Sequence, residues 1–213
     1  LDRELLWNTL GRFGLGRLTG SGFPGESAGV LPHFGNWRPI TQATIAYGYG
    51  VSMTPLQLAQ AYAILGAGGL YRPASLVRVE RPPIARRVVA PETARAVVTM
   101  LEAVVGPEGT GGKAAVAGFR VAGKTGTARK LAAGSYVSDR WTAVFAGLAP
   151  ATAPRLAIVV VVDDPRGSVY YGGDVAAPVF SSIAAGALRI LAVVPDDPGT
   201  PAAKPAITLA ARQ

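Results

Sequence analysis

Lys124, Thr125, Gly126 and Thr127 are the residues of this chain best suited to chemistry, and two kinds of chemistry could use them. Spaced as Gly118-x4-Gly123-Lys124-Thr125, they fit the loop whose backbone amides cradle nucleotide phosphates while the lysine reaches the outer ones. Set on a strand as Lys-Thr-Gly-Thr, they fit the motif of serine acyl-transfer enzymes. The two uses demand opposite local structures, so the neighbouring residues decide between them.

A phosphate-cradling loop needs a strand before its glycines and a helix that starts at the Lys-Thr. Here Phe119-Arg-Val-Ala122 alternates as a strand does, and Gly126 would interrupt a helix begun at Lys124. Residues 128–140 carry Gly134, Ser135 and a polar turn instead of the crossover helix that a parallel unit requires. Ile158–Asp164 imitates the acidic strand end that holds magnesium in nucleotide hydrolases, but Asp163-Asp164 before Pro165 reads as a polar strand terminus. Gly109-Thr-Gly-Gly-Lys113 fails the phosphate pattern, with proline at 107 and alanine at 114. The strand reading is the expectation. A P-loop nucleotide hydrolase is kept as an alternative, which magnesium-dependent nucleotide binding lost in Lys124→Ala would reveal.

The only histidine, His33, lies in a proline-flanked loop and is expected to be structural or exposed, so a Ser-His-Asp triad has little to build on. Cysteine is absent, which excludes thiol nucleophiles, disulfides and cysteine-ligated metal; neither metal nor cofactor is expected. At 213 residues, 49% of them apolar, the chain is long enough for a real core and is globular. A net charge of +8 could draw a polyanion, but the basic residues occur at most as pairs (Arg86-Arg87, Arg129-Lys130). That pattern predicts a dispersed basic surface and no nucleic-acid partner. The longest apolar run, Leu156–Val162, is far too short to span a membrane. The chain opens on Leu1-Asp2-Arg3-Glu4, with no basic-then-apolar leader and no Met, which suggests a fragment or a processed chain.

The elements that must position Lys124–Thr127 follow from periodicity. Residues 2–13 form an amphipathic pattern on Leu5, Leu6, Leu10 and Phe13, ended by Gly14 and Gly16. Leu18 to Pro39 is rich in Gly and Pro and is expected to be an irregular loop. Thr54-Pro55 is a helix start, with a capping hydroxyl and then proline at the first helical position, running to Gly66. Short strands are expected at 75–80 and 87–89, and a helix from Pro91-Glu92 through Val104. Strand patterns then occupy 119–128, 141–148 and 155–163, joined by connections short enough to force antiparallel pairing. A buried helix is expected over 177–191, and the proline-rich tail 195–213 should be extended or disordered.

Lys-Thr-Gly alone is a weak signal; its surroundings strengthen it. Tyr47-Gly-Tyr-Gly-Val-Ser-Met-Thr-Pro-Leu-Gln-Leu-Ala-Gln-Ala-Tyr62, Gly109-Thr-Gly-Gly-Lys-Ala-Ala115, Phe145-Ala-Gly-Leu-Ala-Pro150 and Tyr170-Tyr-Gly-Gly-Asp-Val-Ala-Ala-Pro-Val-Phe180 stand in order around it. Over residues 1–194 the series resembles the C-terminal part of the transpeptidase domain of class B penicillin-binding proteins, specifically the division-specific peptidoglycan D,D-transpeptidases called penicillin-binding protein 3. The fold this implies is α/β (α+β): an antiparallel sheet flanked by helices, of the serine β-lactamase and D,D-transpeptidase type, present here as a partial domain. A serine β-lactamase on this fold is disfavoured by the long matches at 47–62 and 170–180.

The resemblance also implies roles. Lys124 would supply a fixed positive charge to the substrate carboxylate, Thr125 and Thr127 would offer it hydroxyls, and Gly126 would let the ligand approach the backbone. The backbone N–H of Thr127 would form half of an oxyanion hole. Trp141, Tyr170 and Tyr171 match positions where related enzymes set aromatic rings along the cleft wall. The nucleophile and base of the family lie in Ser-x-x-Lys and Ser-x-Asn, and neither string occurs in this sequence. The chain alone is therefore expected to be inactive and to need the upstream half of the same protein, which would also cover the apolar edge Leu156–Val162. Implied partners are the D-Ala-D-Ala stem peptide of peptidoglycan, β-lactams, and a glycan polymerase with other division proteins. The implied place is the periplasmic side of the bacterial inner membrane, with an N-terminal helix as anchor. A non-catalytic sensor or binding module on this fold is the remaining alternative.

Overall fold

The computed structural model describes residues 1–81, 83–132, 135–197 and 199. Two compact units divide the chain, Leu1–Ala94 and Arg95–Gln213.

The first unit is helical. Helix α1 (Arg3–Arg12) starts at Asp2, whose carboxylate accepts from the Glu4 amide at 2.9 Å. Helix α2 (Pro39–Ala46) has proline in its first turn and buries only Ile45. It was not expected: its sequence offers no capping side chain and one buried anchor, too little for a periodicity reading. Helix α3 (Pro55–Gly66) begins as the sequence indicates, with a capping box in which Thr54 and Gln57 satisfy each other's backbone amides. The Gln57 side chain is almost wholly buried and also donates to the carbonyls of Arg17 at 2.7 Å and Ala28 at 2.8 Å. The supposed irregular loop 18–39 is thus fixed through one amide, aided by Glu26, which accepts from the Thr19 amide at 2.7 Å.

Strands β1 (Leu70–Tyr71) and β2 (Arg86–Arg87) form a short antiparallel ribbon. No strand forms at 75–80. The Ser75 hydroxyl donates to the carbonyl of Val77 at 2.7 Å and accepts from its amide at 3.2 Å, so the backbone bonds locally rather than to a ladder. Leu76, Val77 and Val79 are left exposed.

Helix α4 (Pro91–Glu102) leads into the second unit, whose frame is an antiparallel sheet in the order β3 (Ala122–Ala132), β4 (Ser135–Ala149), β5 (Leu156–Asp163). The hairpin connectivity matches expectation, with shifted boundaries. Strand β3 starts three residues late because Gly118, at φ +78°, turns the chain and the Phe119 amide bonds back to Val116. It also runs past Ala128, since β4 extends to meet it, with a break in register between Arg129 and Leu131. Lys124-Thr125 lies inside a continuous strand, which excludes the phosphate-loop alternative.

After a short helix α5 (Gly172–Val175), helix α6 (Ala177–Ile190) lays Ala177, Phe180, Ala184 and Leu188 on the sheet, the spacing of one helical face. Phe180 meets Phe145 of β4 with ring centroids 4.8 Å apart, and both are fully buried. Beyond α6, Asp196 accepts from the Arg120 amide at 2.9 Å and from the Thr152 hydroxyl at 2.5 Å. The remaining proline-rich tail, 198 and 200–213 in particular, lies outside the described residues apart from Gly199. Among the described residues β3 and β5 are the sheet edges, and no helix is long and apolar enough to cross a membrane.

Candidate functional site

Alternation along β3 sends the side chains of Thr125 and Thr127 to one face and those of Lys124 and Ala128 to the other. Among the described residues the strand pairs only with β4, with Thr125 opposite Phe145 and Thr127 opposite Ala143. On the threonine face the α5 turn packs directly against the strand. The Gly172 amide donates to Thr127 Oγ1 at 3.0 Å. A Cβ on Gly172 would stand 2.3 Å from the Val144 carbonyl and 2.5 Å from that of Gly126, so only glycine lets the two backbones meet.

A cleft of about 300 Å3 opens here, lined by Thr110, Thr125, Thr127, Tyr171, Gly172, Gly173 and Asp174. Thr110 Oγ1 lies 2.8 Å from Thr125 Oγ1, and Lys113 is paired with Asp174 at 2.7 Å. Lys124 reaches the same group from across the strand: its ammonium donates to the Thr125 carbonyl at 3.0 Å and stands 3.4 Å from Thr125 Oγ1. The Lys124 ammonium and the hydroxyls of Thr110, Thr125, Thr127 and Tyr171 thus surround a small open space whose carboxylate, Asp174, is paired with Lys113, a donor-rich arrangement suited to an anion. A Cβ on Gly126 would meet only Val144 Cβ, at 3.6 Å, so packing leaves room at that position.

Aromatic side chains rise from Tyr171 in a continuous stack. Tyr171 and Tyr170 have centroids 4.6 Å apart, and Tyr170 and Trp141 lie 4.5 Å apart and nearly parallel at 11°. The Arg129 guanidinium caps the far end, 5.0 Å from the Trp141 ring. The hydrogen bond that Tyr170 gives Tyr171, followed by desolvation, holds the Tyr170 hydroxyl above the usual tyrosine range.

Of the residues singled out from sequence, Thr125, Thr127 and Tyr171 line the cleft, Lys124 and Gly126 sit beside it on β3, and Trp141 and Tyr170 continue the stack away from it. Thr110, Gly172, Gly173 and Asp174 were given no role of their own, although they lie in the strings Gly109–Ala115 and Tyr170–Phe180 that carry the resemblance. Asp163 and Asp164 are ion-paired with Lys130 and Arg140, as a strand terminus would be, and the Lys130 hydrogen bond holds the Asp163 carboxyl below its usual range. His33 is exposed, caps a short 3-10 turn by accepting from the Gly35 amide at 3.1 Å, and touches Trp7 and Phe34. Among the described residues no group of acidic or histidine side chains could hold a metal ion.

Known proteins share both sequence and fold with this chain. It is 46% identical over 196 residues to the peptidoglycan D,D-transpeptidase FtsI of Escherichia coli K12, covering 92% of this chain and 33% of that one. It is 43% identical over 200 residues to the probable peptidoglycan D,D-transpeptidase PenA of Neisseria gonorrhoeae, covering 94% of this chain and 34% of that one. The chain thus spans about a third of the length of the curated relatives it matches. Among solved structures, the TP domain of Burkholderia pseudomallei penicillin-binding protein 3 superposes with a TM-score of 0.88 at 44% identity, over 93% of this chain and 60% of that one. A protein described as a peptidoglycan glycosyltransferase from Burkholderia ambifaria gives 0.84 at 42%, with the same coverage. Residues 1–185 match the family described as the penicillin binding protein transpeptidase domain, and the chain belongs to that family.

Proposed function

We propose that the protein containing this chain is a peptidoglycan D,D-transpeptidase, and that the cleft beside β3 receives the terminal carboxylate of its acyl donor. One observation carries the reading: the hydroxyls of Thr125 and Thr127 face a common cleft while the Lys124 ammonium stands 3.4 Å from the first of them. A carboxylate placed there gains a positively charged partner and two O–H donors.

In this scheme a serine attacks the penultimate D-Ala carbonyl of a D-Ala-D-Ala stem peptide, forming an acyl-enzyme and releasing D-alanine. A neighbouring strand's amine then attacks the ester, taking the acyl group and returning the serine. The Thr127 backbone N–H would stabilise the oxyanion with the nucleophile's own N–H, and Gly126 leaves the approach unobstructed. Tyr171, backed by Tyr170 and Trp141, would flank the ligand. β-Lactams would enter as mimics of D-Ala-D-Ala. Since the sequence lacks Ser-x-x-Lys and Ser-x-Asn, those groups would come from a part of the protein beyond these residues. Its relatives' names support the transpeptidase activity; we extend it to cross-linking at the division septum, with a glycan polymerase and other division proteins as partners, on the periplasmic side of the inner membrane behind an N-terminal anchor.

Labelling of the intact protein by a fluorescent penicillin tests this. Covalent labelling that Lys124→Ala reduces by two orders of magnitude or more supports the reading, on the scale of about a hundredfold for one lost charge-stabilising donor. An intact protein that carries Ser-x-x-Lys and takes no label is a binding or sensing module instead.

A further inference from the structure

We propose that Thr110 is a positioning residue of this cleft: its hydroxyl sets the direction of the Thr125 O–H so that the proton is offered to a bound carboxylate. The proposal rests on the reading that the cleft takes a carboxylate. Its geometry is independent of that reading.

A threonine hydroxyl has one proton to give and two lone pairs to fill. Around Thr125 Oγ1 stand two groups, the Lys124 ammonium at 3.4 Å and Thr110 Oγ1 at 2.8 Å. Lys124 can only donate. The Thr110–Thr125 bond can run either way. If Thr125 donates to Thr110, its single proton is spent inside the protein and the cleft faces a lone pair, which repels a carboxylate. If Thr110 donates, both lone pairs of Thr125 are engaged and its proton turns outward. An anion in the cleft selects the second arrangement, and the chain from Thr110 through Thr125 to the anion then polarises in one direction. Thr110 itself is exposed, so water supplies whatever its own oxygen needs.

The fold holds Thr110 where this can happen. The Gly111 amide donates to the Val104 carbonyl at 2.8 Å, and the Ala114 amide returns to the Gly111 carbonyl at 2.8 Å, closing the loop that bears Thr110. On the other side the Thr110 carbonyl lies so near Gly173 that a Cβ there would stand 2.1 Å away. The Lys113–Asp174 pair ties the same loop to the α5 turn a second time. A loop merely passing the strand would need none of these attachments.

The test uses the intact protein with Thr110→Val, Thr110→Ser, Thr125→Val and the double variant Thr110→Val/Thr125→Val. The readout is the rate constant of acylation by a penicillin and by the same penicillin with its carboxylate esterified, and melting temperatures monitor folding. Thr110→Val should slow acylation by the free carboxylate about fivefold, the size of one lost hydrogen bond between neutral groups. Thr110→Ser should restore it to within about twofold, the ester should be insensitive, and Thr110→Val should add nothing once Thr125 is Val. Acylation of Thr110→Val at the unsubstituted rate overturns the proposal while leaving the transpeptidase reading intact. So does an undiminished effect of Thr110→Val in the Thr125→Val background, or a Ser variant no better than Val. If the unsubstituted protein takes no label at all, both fall together.

Discussion

Gly172→Ala should damage the second unit out of proportion to one methyl group, and Gly126→Ala should not. The new Cβ at 172 lands 2.3 Å from the Val144 carbonyl and 2.5 Å from the Gly126 carbonyl, both backbone atoms of the sheet. Restoring ordinary contact requires α5 to retreat by about 1 Å, which stretches the 3.0 Å bond from the Gly172 amide to Thr127 Oγ1 beyond hydrogen-bonding range. Overpacking of this kind costs about 1–3 kcal/mol and the lost bond about 1 kcal/mol, giving roughly 2–4 kcal/mol together. At Gly126 the added Cβ meets only Val144 Cβ at 3.6 Å, with no positive φ to strain it, so stability should hold or rise by a few tenths of a kcal/mol. Hydrogen exchange of the β3 and β4 amides is the suitable assay, because it reads local stability without requiring the chain to unfold as one unit. Penicillin acylation measured in parallel should fall in both variants, through displacement of Thr127 in the first and obstruction of the ligand in the second. Exchange rates in Gly172→Ala equal to the unsubstituted protein's, or greater loss in Gly126→Ala, would refute the reasoning.

Two further outcomes follow from groups away from the cleft. Gln57→Leu should destabilise the first unit by roughly 2–4 kcal/mol, because the carbonyls of Arg17 and Ala28 and the Thr54 amide lose a buried partner; urea unfolding followed by tryptophan fluorescence checks it, and a change within 0.5 kcal/mol counts against it. The Lys130 hydrogen bond lowers the folded-state pKa of Asp163, so its contribution is present above the unfolded carboxyl range near pH 4 and fades as pH falls through the lower folded value. Melting temperature should therefore drop less steeply on acidification in Lys130→Met than in the unsubstituted protein, and identical slopes would count against the pairing.

The candidate site was legible where chemistry and periodicity coincide. Lys124–Thr127 sits in a run whose alternation reads as a strand, and the short links to 141–148 and 155–163 fix antiparallel order without further information. Helix α6 was readable because Ala177, Phe180, Ala184 and Leu188 fall on one face. Helix α2 was not, because its eight residues bury only Ile45. The residues 75–80 misled for the converse reason: Leu76, Val77 and Val79 have strand propensity, but the Ser75 hydroxyl satisfies the local backbone first. Thr110 could not have been assigned from sequence, since its role depends on a 2.8 Å approach to a residue fifteen positions away. The same holds for Gly172, whose need for glycine is set by carbonyls on two other segments.

The Lys130–Asp163 pair crosses over β4 and joins the two edge strands of the sheet, with Thr142 Oγ1 also donating to Asp163 at 3.3 Å. As an exposed pair it adds little to stability. Its position gives it another effect. Lys130 lies at the break in the β3–β4 ladder, so the distal part of that hairpin cannot by itself dictate the alignment of the proximal part. A slip of β3 by two residues would keep every side chain on its proper face, yet would carry Lys130 about 7 Å along the strand, out of reach of Asp163. The pair is therefore a contact that the observed register makes and a slipped one loses: a bond too weak to hold the sheet together still favours the alignment that brings Thr125 and Thr127 level with the cleft.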